Sequence, residues 1–255
     1  VGARPRRDAS PRPAAGTTRC FDRAGHDTMQ LEVFADASAV AERAARFIAE
    51  QARAAVRERG RFTLALSGTR SQPLLRALVR HALPWSRMTL FQVDERVAPA
   101  GDAARNLTAI ESELLPHVPL ASGQLHAMPV VAADLAAAAR AYAGLLQWVC
   151  GTPAVLDLVH LGLGEDGHTA SLVPGDAVLQ VADSDVALSG PYQGHRRMTL
   201  TYPALNRARA RLWLVSGAHK RAMVERLRAA DTSIPAGRVN ADAAWLLADA
   251  AAAGR

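Results

Sequence analysis

Three clusters in this 255-residue chain combine residue types that can do chemistry where a strand gives way to a loop. The most specific is Gly162-Leu163-Gly164-Glu165-Asp166-Gly167-His168, which ends the apolar run VLDLVHL. Its three glycines let the backbone turn sharply and expose Asp166 and His168 at the strand end. A histidine with a carboxylate nearby can be held in one tautomer and accept a proton from water near neutral pH. The bland alternative is a loop whose Asp and His only satisfy backbone groups. Thr169, Ser171 and the anion-friendly clusters elsewhere favour chemistry.

The second cluster, Ser67-Gly68-Thr69-Arg70-Ser71, follows FTLAL and precedes a helical stretch. Its amides, hydroxyls and arginine suit a phosphate or sulfate. The third, Asp94-Glu95-Arg96, follows MTLFQV; taken alone, three charges there are usually just solvated. Lys220 starts a helix after a strand and either binds an anion or lies on the surface. His26, His81, His117, His126, His160, His195 and His219 show no HxxxH or HExxH spacing and read as structural or surface residues. The run 162–167 also fits GxGxxG, the dinucleotide fingerprint. Glu165 and Asp166 would put negative charge where a pyrophosphate must sit, and Pro174-Gly175 comes too soon for the long helix such a site needs. No GxSxG occurs, so a nucleophile-elbow hydrolase lacks its key residue.

The elements that must carry these clusters alternate. LEVFAD reads as a short strand, and Asp36 or Ser38 can cap a long helix closed by Gly60. FTLAL, MTLFQV, VLDLVHL and ARLWLVS are short apolar strands; LHAMPV and MTLTY are further strand candidates. Helices are expected at PLLRALVRHAL, from Asn106, at DLAAAARAYAGLLQWVC, at Pro203, from Ala218 to Arg228, and in a last Ala-rich helix after Asn240. This alternation indicates an α/β protein with a Rossmann-like, mostly parallel sheet flanked by helices on both faces. The less regular stretch 176–194 suggests a small antiparallel β insertion. In such sheets ligands gather beyond the carboxyl ends of the strands, which is where all three clusters fall.

Composition narrows the function classes. The chain is 49% hydrophobic and 21% charged, with a net charge of +6. Half of that excess sits in residues 1–29, a Pro- and Arg-containing stretch without apolar periodicity. It reads as a disordered tail, with Met29 as an alternative start and residues 30–255 as one α/β domain. Arginines are scattered and aromatics are 5%, which argues against a nucleic-acid partner. No apolar run is long enough to suggest a membrane span. Two cysteines without CxxC spacing fit a reducing, cytoplasmic setting and no structural zinc.

With these residues in view, the chain resembles the 6-phosphogluconolactonases. LGLGEDGHTASLVPG (161–175) is similar to that family's most specific signature, with Val173 where Phe is usual. VDERVAP (93–99) looks like its second, with Asn106 at the usual place and Arg105 replacing a Ser. RMTLTYPALNRARARLWLVSGAHKRAMV (197–224) matches a third block, including Arg197 and Lys220; IPAGRV (234–239) and the closing AWLLADAAA also fit. The resemblance spans roughly 31–252. One departure is Thr69-Arg70, where the family has Gly-Ser: a β-branched residue tolerates positive φ poorly, so the loop is reshaped or Arg70 supplies binding that amides supply elsewhere.

The resemblance implies hydrolysis of 6-phospho-D-glucono-1,5-lactone to 6-phosphogluconate, without organic cofactor or required metal. The partner is then a small phosphorylated lactone, and the pathway implies a functional link to glucose-6-phosphate dehydrogenase, with a monomer or weak dimer as the acting form. His168 is expected as the base and Asp166 as its orienting partner. Arg96, Arg197 and Lys220 are expected on the phosphate, with Ser67, Gly68 and Arg70 nearby. Asp94, Glu95 and Asn106 would bind sugar hydroxyls or position the cations. Rival readings are a sugar-phosphate deaminase or isomerase of the same fold, and a non-catalytic sugar-phosphate sensor. Thr169-Ala170-Ser171-Leu172 after the histidine, and Arg96 after the acidic pair, favour the lactonase. The sensor would need a helix-turn-helix segment, which the Pro-rich tail cannot supply.

Overall fold

A computed structural model of the chain describes residues 29–68 and 71–255. The expected tail, but for Met29, and the Thr69-Arg70 pair lie outside the described residues. The first strand, β1 (Gln30–Phe34), leads into α1 (Ala37–Arg59). Asp36 caps that helix, its Oδ1 accepting from Ala39 N at 2.8 Å, and Gly60 closes it in the left-handed conformation. Then follow β2 (Phe62–Leu66), α2 (Gln72–Val79) and β3 (Met88–Gln92). Next come β4 (Asp94–Arg96), α3 (Asn106–Glu113), β5 (Leu125–His126), α4 (Leu135–Cys150) and β6 (Leu158–Leu161). The chain continues through β7 (Val186–Tyr192), β8 (His195–Leu200), α5 (Tyr202–Arg207) and β9 (Arg211–Val215). It ends in α6 (Arg221–Arg228), β10 (Ala244–Asp249) and α7 (Ala250–Ala253).

Seven strands form a parallel sheet in the order β1-β10-β9-β6-β2-β3-β5. Their apolar runs are buried on both faces, as a sheet covered by helices on both sides requires. On one face α1, α2 and α3 pack Phe47, Ile48, Leu74, Leu78 and Ile110 against it. On the other, α4, α5 and α6 contribute Tyr142, Leu146, Leu205 and Leu227. From β2 the chain steps outward through β3 to β5, then returns to β6 and steps the other way to β9 and β10. The gap between the carboxyl ends of β2 and β6 is therefore the point where the winding reverses, and the place where such a sheet opens a crevice.

Two expectations need correction. The run AWLLAD was expected in a helix after Asn240; it is β10, paired on both sides, with Leu246, Leu247 and Ala248 fully buried. Ala and Leu favour helix, but a central sheet position that satisfies both backbone edges overrides that preference. The insertion is also larger than 176–194. β7 and β8 form an antiparallel hairpin, and β4 pairs with β8 to complete a second, three-stranded sheet. Asp94-Glu95-Arg96 is thus not a solvated strand end but a strand in its own right.

Candidate active site

The carboxyl ends of β2, β6 and β9, with β4 and the β7–β8 hairpin, enclose a cleft of about 670 Å³. Its walls include Ser67, Gly68, Asp94, Arg96, Asp166, His168, Arg197 and Lys220. Residues from all three sequence clusters therefore share one opening.

The loop after β6 builds the acid–base end. Its glycines are required by geometry rather than flexibility. A Cβ on Gly164 would collide with Nδ1 of His168. Gly167 has φ +83, and its carbonyl accepts from Ala236 N at 2.9 Å. So bent, the loop sets Nδ1 of His168 2.6 Å from Oδ1 of Asp166, which also accepts the His168 amide at 3.1 Å. Tyr192 donates its hydroxyl to Oδ2 of the same carboxylate at 3.0 Å. An ionised carboxylate only accepts, so Nδ1 carries a proton, and in the neutral ring Nε2 is then the nitrogen with the free lone pair. Burial alone would raise the Asp166 carboxyl, but the hydrogen bonds from the His168 amide and ring and from Tyr192 outweigh it, leaving Asp166 below its ordinary value. The imidazole is about one-fifth exposed, enough to meet a ligand in the cleft.

The antiparallel second sheet builds the cationic end. Arg96 of β4 sits directly opposite Arg197 of β8. Like charges facing each other across strands destabilise a sheet unless something neutralises them. Asp94 does so only in part, its Oδ2 lying 3.9 Å from Arg197 Nη1. Arg197 is buried, and its Nε has no hydrogen-bond partner among the described residues. Burial, and then repulsion from Arg96, push its guanidinium below the ordinary arginine value, with Asp94 pulling the other way. Lys220, at the start of α6, is buried on the same cleft with Nζ 4.0 Å from Glu165 Oε1. Three cations, Arg96, Arg197 and Lys220, face this one cleft, an arrangement that suits a multiply charged anion.

Two expected ligand residues do not reach that cleft surface. Glu95 and Asn106 are fully buried. The Glu95 carboxylate is consumed by amides of Arg96, Asn106 and Leu107 at 2.7–2.9 Å and by the Gln92 side chain at 2.8 Å. Asn106 accepts from Arg96 Nη1 at 2.7 Å and donates to Asp94. Of the two roles expected for this pair, their burial and the contact of Asn106 with Arg96 fit the positioning of cations. Asp94 does line the cleft, held by Ser171 Oγ at 2.6 Å. Ser67 and Gly68 line it as well, and a Cβ on Gly68 would collide with the Asn106 amide. Arg70 lies outside the described residues. Sequence reasoning missed Tyr192, since nothing in GPYQG marks it as a partner for a distant carboxylate. His160 was set aside as structural; it is buried under the cleft, its Nδ1 accepting from Ser67 N at 3.3 Å. Among the described residues no group of three or more His, Cys, Asp or Glu is placed to hold a metal ion, and no helix is long and apolar enough to cross a membrane.

Comparison with known proteins places this geometry in context. The family described as glucosamine-6-phosphate isomerases/6-phosphogluconolactonase matches residues 35–247. A 6-phosphogluconolactonase of Mycobacterium tuberculosis is 38% identical over 241 residues, covering 88% of this chain and 97% of that protein. The Synechocystis 6-phosphogluconolactonase is 37% identical over 196 residues, 75% of this chain and 81% of its own. Among solved structures, the 6-phosphogluconolactonase from Trypanosoma cruzi superposes with a TM-score of 0.81 at 24% identity, covering 90% of this chain and 97% of that one. A monomeric glucosamine-6-phosphate deaminase superposes with a TM-score of 0.75 at 20% identity, covering 89% and 99%. The backbone alone thus does not separate the two activities.

Proposed function

Since the chain belongs to the glucosamine-6-phosphate isomerase/6-phosphogluconolactonase family, we propose that its cleft hydrolyses 6-phospho-D-glucono-1,5-lactone to 6-phospho-D-gluconate. The observation that carries this reading is a histidine fixed through Nδ1 by Asp166 in the same cleft as Arg96, Arg197 and Lys220. The choice of lactonase over deaminase rests on the relatives at 37–38% identity rather than on the fold.

A lactone is an activated ester, so water with a general base suffices and no covalent nucleophile is needed. The cations hold the phosphate and bring C1 of the ring to the imidazole. Nε2 of His168 takes a proton from water as its oxygen bonds to C1, and the carbonyl electrons move onto the exocyclic oxygen. Collapse of that intermediate breaks the bond between C1 and the ring oxygen. The imidazolium returns its proton to the departing alkoxide, and the new carboxyl group ionises in water. Asp166 holds the ring orientation and stabilises the imidazolium between the two transfers, as a carboxylate behind a catalytic histidine does elsewhere. Asp94 sits between Arg197 and Ser171 and sets where the guanidinium can reach. We place residues 30–255 in one cytoplasmic catalytic domain that acts as a monomer or weak dimer on this small substrate.

The test is hydrolysis of freshly prepared lactone, followed by acid release against the spontaneous rate. The wild-type protein is expected to exceed that rate by orders of magnitude. A deaminase would instead release ammonia from glucosamine 6-phosphate, and that result would replace the lactonase reading.

A further inference from the structure

The base and the anion-binding arginine come from different sheets: His168 follows β6 of the parallel sheet, whereas Arg197 belongs to β8 of the antiparallel one. Tyr192 touches both. It ends β7 at a hairpin whose two turn residues, Gln193 and Gly194, both have positive φ, the geometry of a tight turn that matches strand twist. A register irregularity between Ser189 and Tyr192 lets the strand re-aim its last side chain. The Tyr192 hydroxyl donates to Oδ2 of Asp166 at 3.0 Å and accepts from Gln193 Nε2 at 3.4 Å. Its ring meets the His168 ring edge-on at 5.1 Å between centroids. The same ring carries the Arg197 guanidinium at 5.1 Å, and its backbone carbonyl accepts from Arg197 Nη2 at 3.3 Å.

We propose that Tyr192 is a positioning residue that locks the Asp166–His168 pair and Arg197 into one mutual geometry, with its hydroxyl serving the base and its ring serving the cation. The proposal rests on the lactonase reading of the cleft for its kinetic arm and on geometry alone for its spectroscopic arm. Oδ1 of Asp166 already serves the His168 amide and ring. Oδ2 is the oxygen left to fix the plane of the carboxylate, and Tyr192 holds it. Without that bond the carboxylate turns about its Cβ–Cγ axis and the Nδ1 contact loosens. The cation–π contact is independent of the hydroxyl, so the two roles separate by substitution.

Tyr192→Phe keeps the ring and removes the hydroxyl; Tyr192→Leu removes both. With the lactone, the Phe variant is expected to lose about tenfold in kcat with KM within about twofold, the size of one lost hydrogen bond to a charged group. The Leu variant is expected to show the same kcat loss and a KM raised about fivefold or more. In ¹⁵N spectra of histidine-labelled protein, the wild-type His168 signal is expected to show a single Nδ1–H tautomer, and the Phe variant a mixture. Thermal melts confirm that each variant is folded. If both variants keep wild-type kcat and KM and the tautomer is unchanged, Tyr192 positions nothing. If the wild-type protein does not hydrolyse the lactone, the lactonase reading fails, while the tautomer shift still decides this one.

Discussion

Each side chain in the cleft makes a separable demand. Gly164 exists so that the imidazole can lie against bare backbone, so Gly164→Ala is expected to displace His168 and lower kcat by tenfold or more while the melting temperature barely changes. Circular dichroism beside lactone kinetics checks this; an Ala variant with wild-type kcat would mean that the ring is free to move without cost. Arg197 behaves differently. If this buried guanidinium facing Arg96 holds the phosphate as proposed, Arg197→Ala is expected to raise KM by about 10- to 100-fold, the worth of a charge-assisted hydrogen bond. A loss confined to kcat would instead place the group at the reacting carbonyl. Glu95 is a structural anchor: Glu95→Gln removes the charge facing buried Arg105, 3.5 Å away, and is expected to cost about 3–5 kcal/mol in urea unfolding.

At the scale of elements, His160 links the parallel sheet to the cleft floor. Burial pushes its imidazole from 6.5 down to about 4. The unfolded chain therefore binds that proton first, so the stability from burying neutral His160 is full above about pH 6.5 and is lost as pH falls toward 4. This one group accounts for about 2 kcal/mol between pH 7 and pH 5. Denaturant titrations at the two pH values are expected to show that much less loss for His160→Gln than for wild type; equal losses would remove the assignment. The same strands show what was legible. The strands after which the clusters fall were readable from apolar runs, and Asp36 and Gly60 bracket α1 as expected. β10 was not readable, because Ala-Trp-Leu-Leu-Ala carries helical preference and only its neighbours β1 and β9 make it a strand. The pairing of β4 with β8 was hidden for a like reason: a contact across a hundred residues leaves no local pattern, so the sequence left open whether Glu95 and Asn106 meet sugar hydroxyls or position the cations.

Across the whole molecule, the doubly wound sheet supplies the crevice and Lys220, and the small antiparallel sheet supplies Arg96 and Arg197. A chain of net charge +6 with cations lining its opening attracts an anionic substrate over distances that salt screens. KM for the lactone is accordingly expected to rise with ionic strength between about 0.01 and 0.3 M while kcat stays flat; a flat KM would leave steering without a role. The general-base account is tested most directly by a single comparison: single-turnover hydrolysis of fresh 6-phosphogluconolactone by wild type and by His168→Ala, with folding checked in both. Removing the imidazole should slow the catalysed step by about 10²- to 10⁴-fold with substrate binding retained. A folded His168→Ala protein that turns over at the wild-type rate would contradict it.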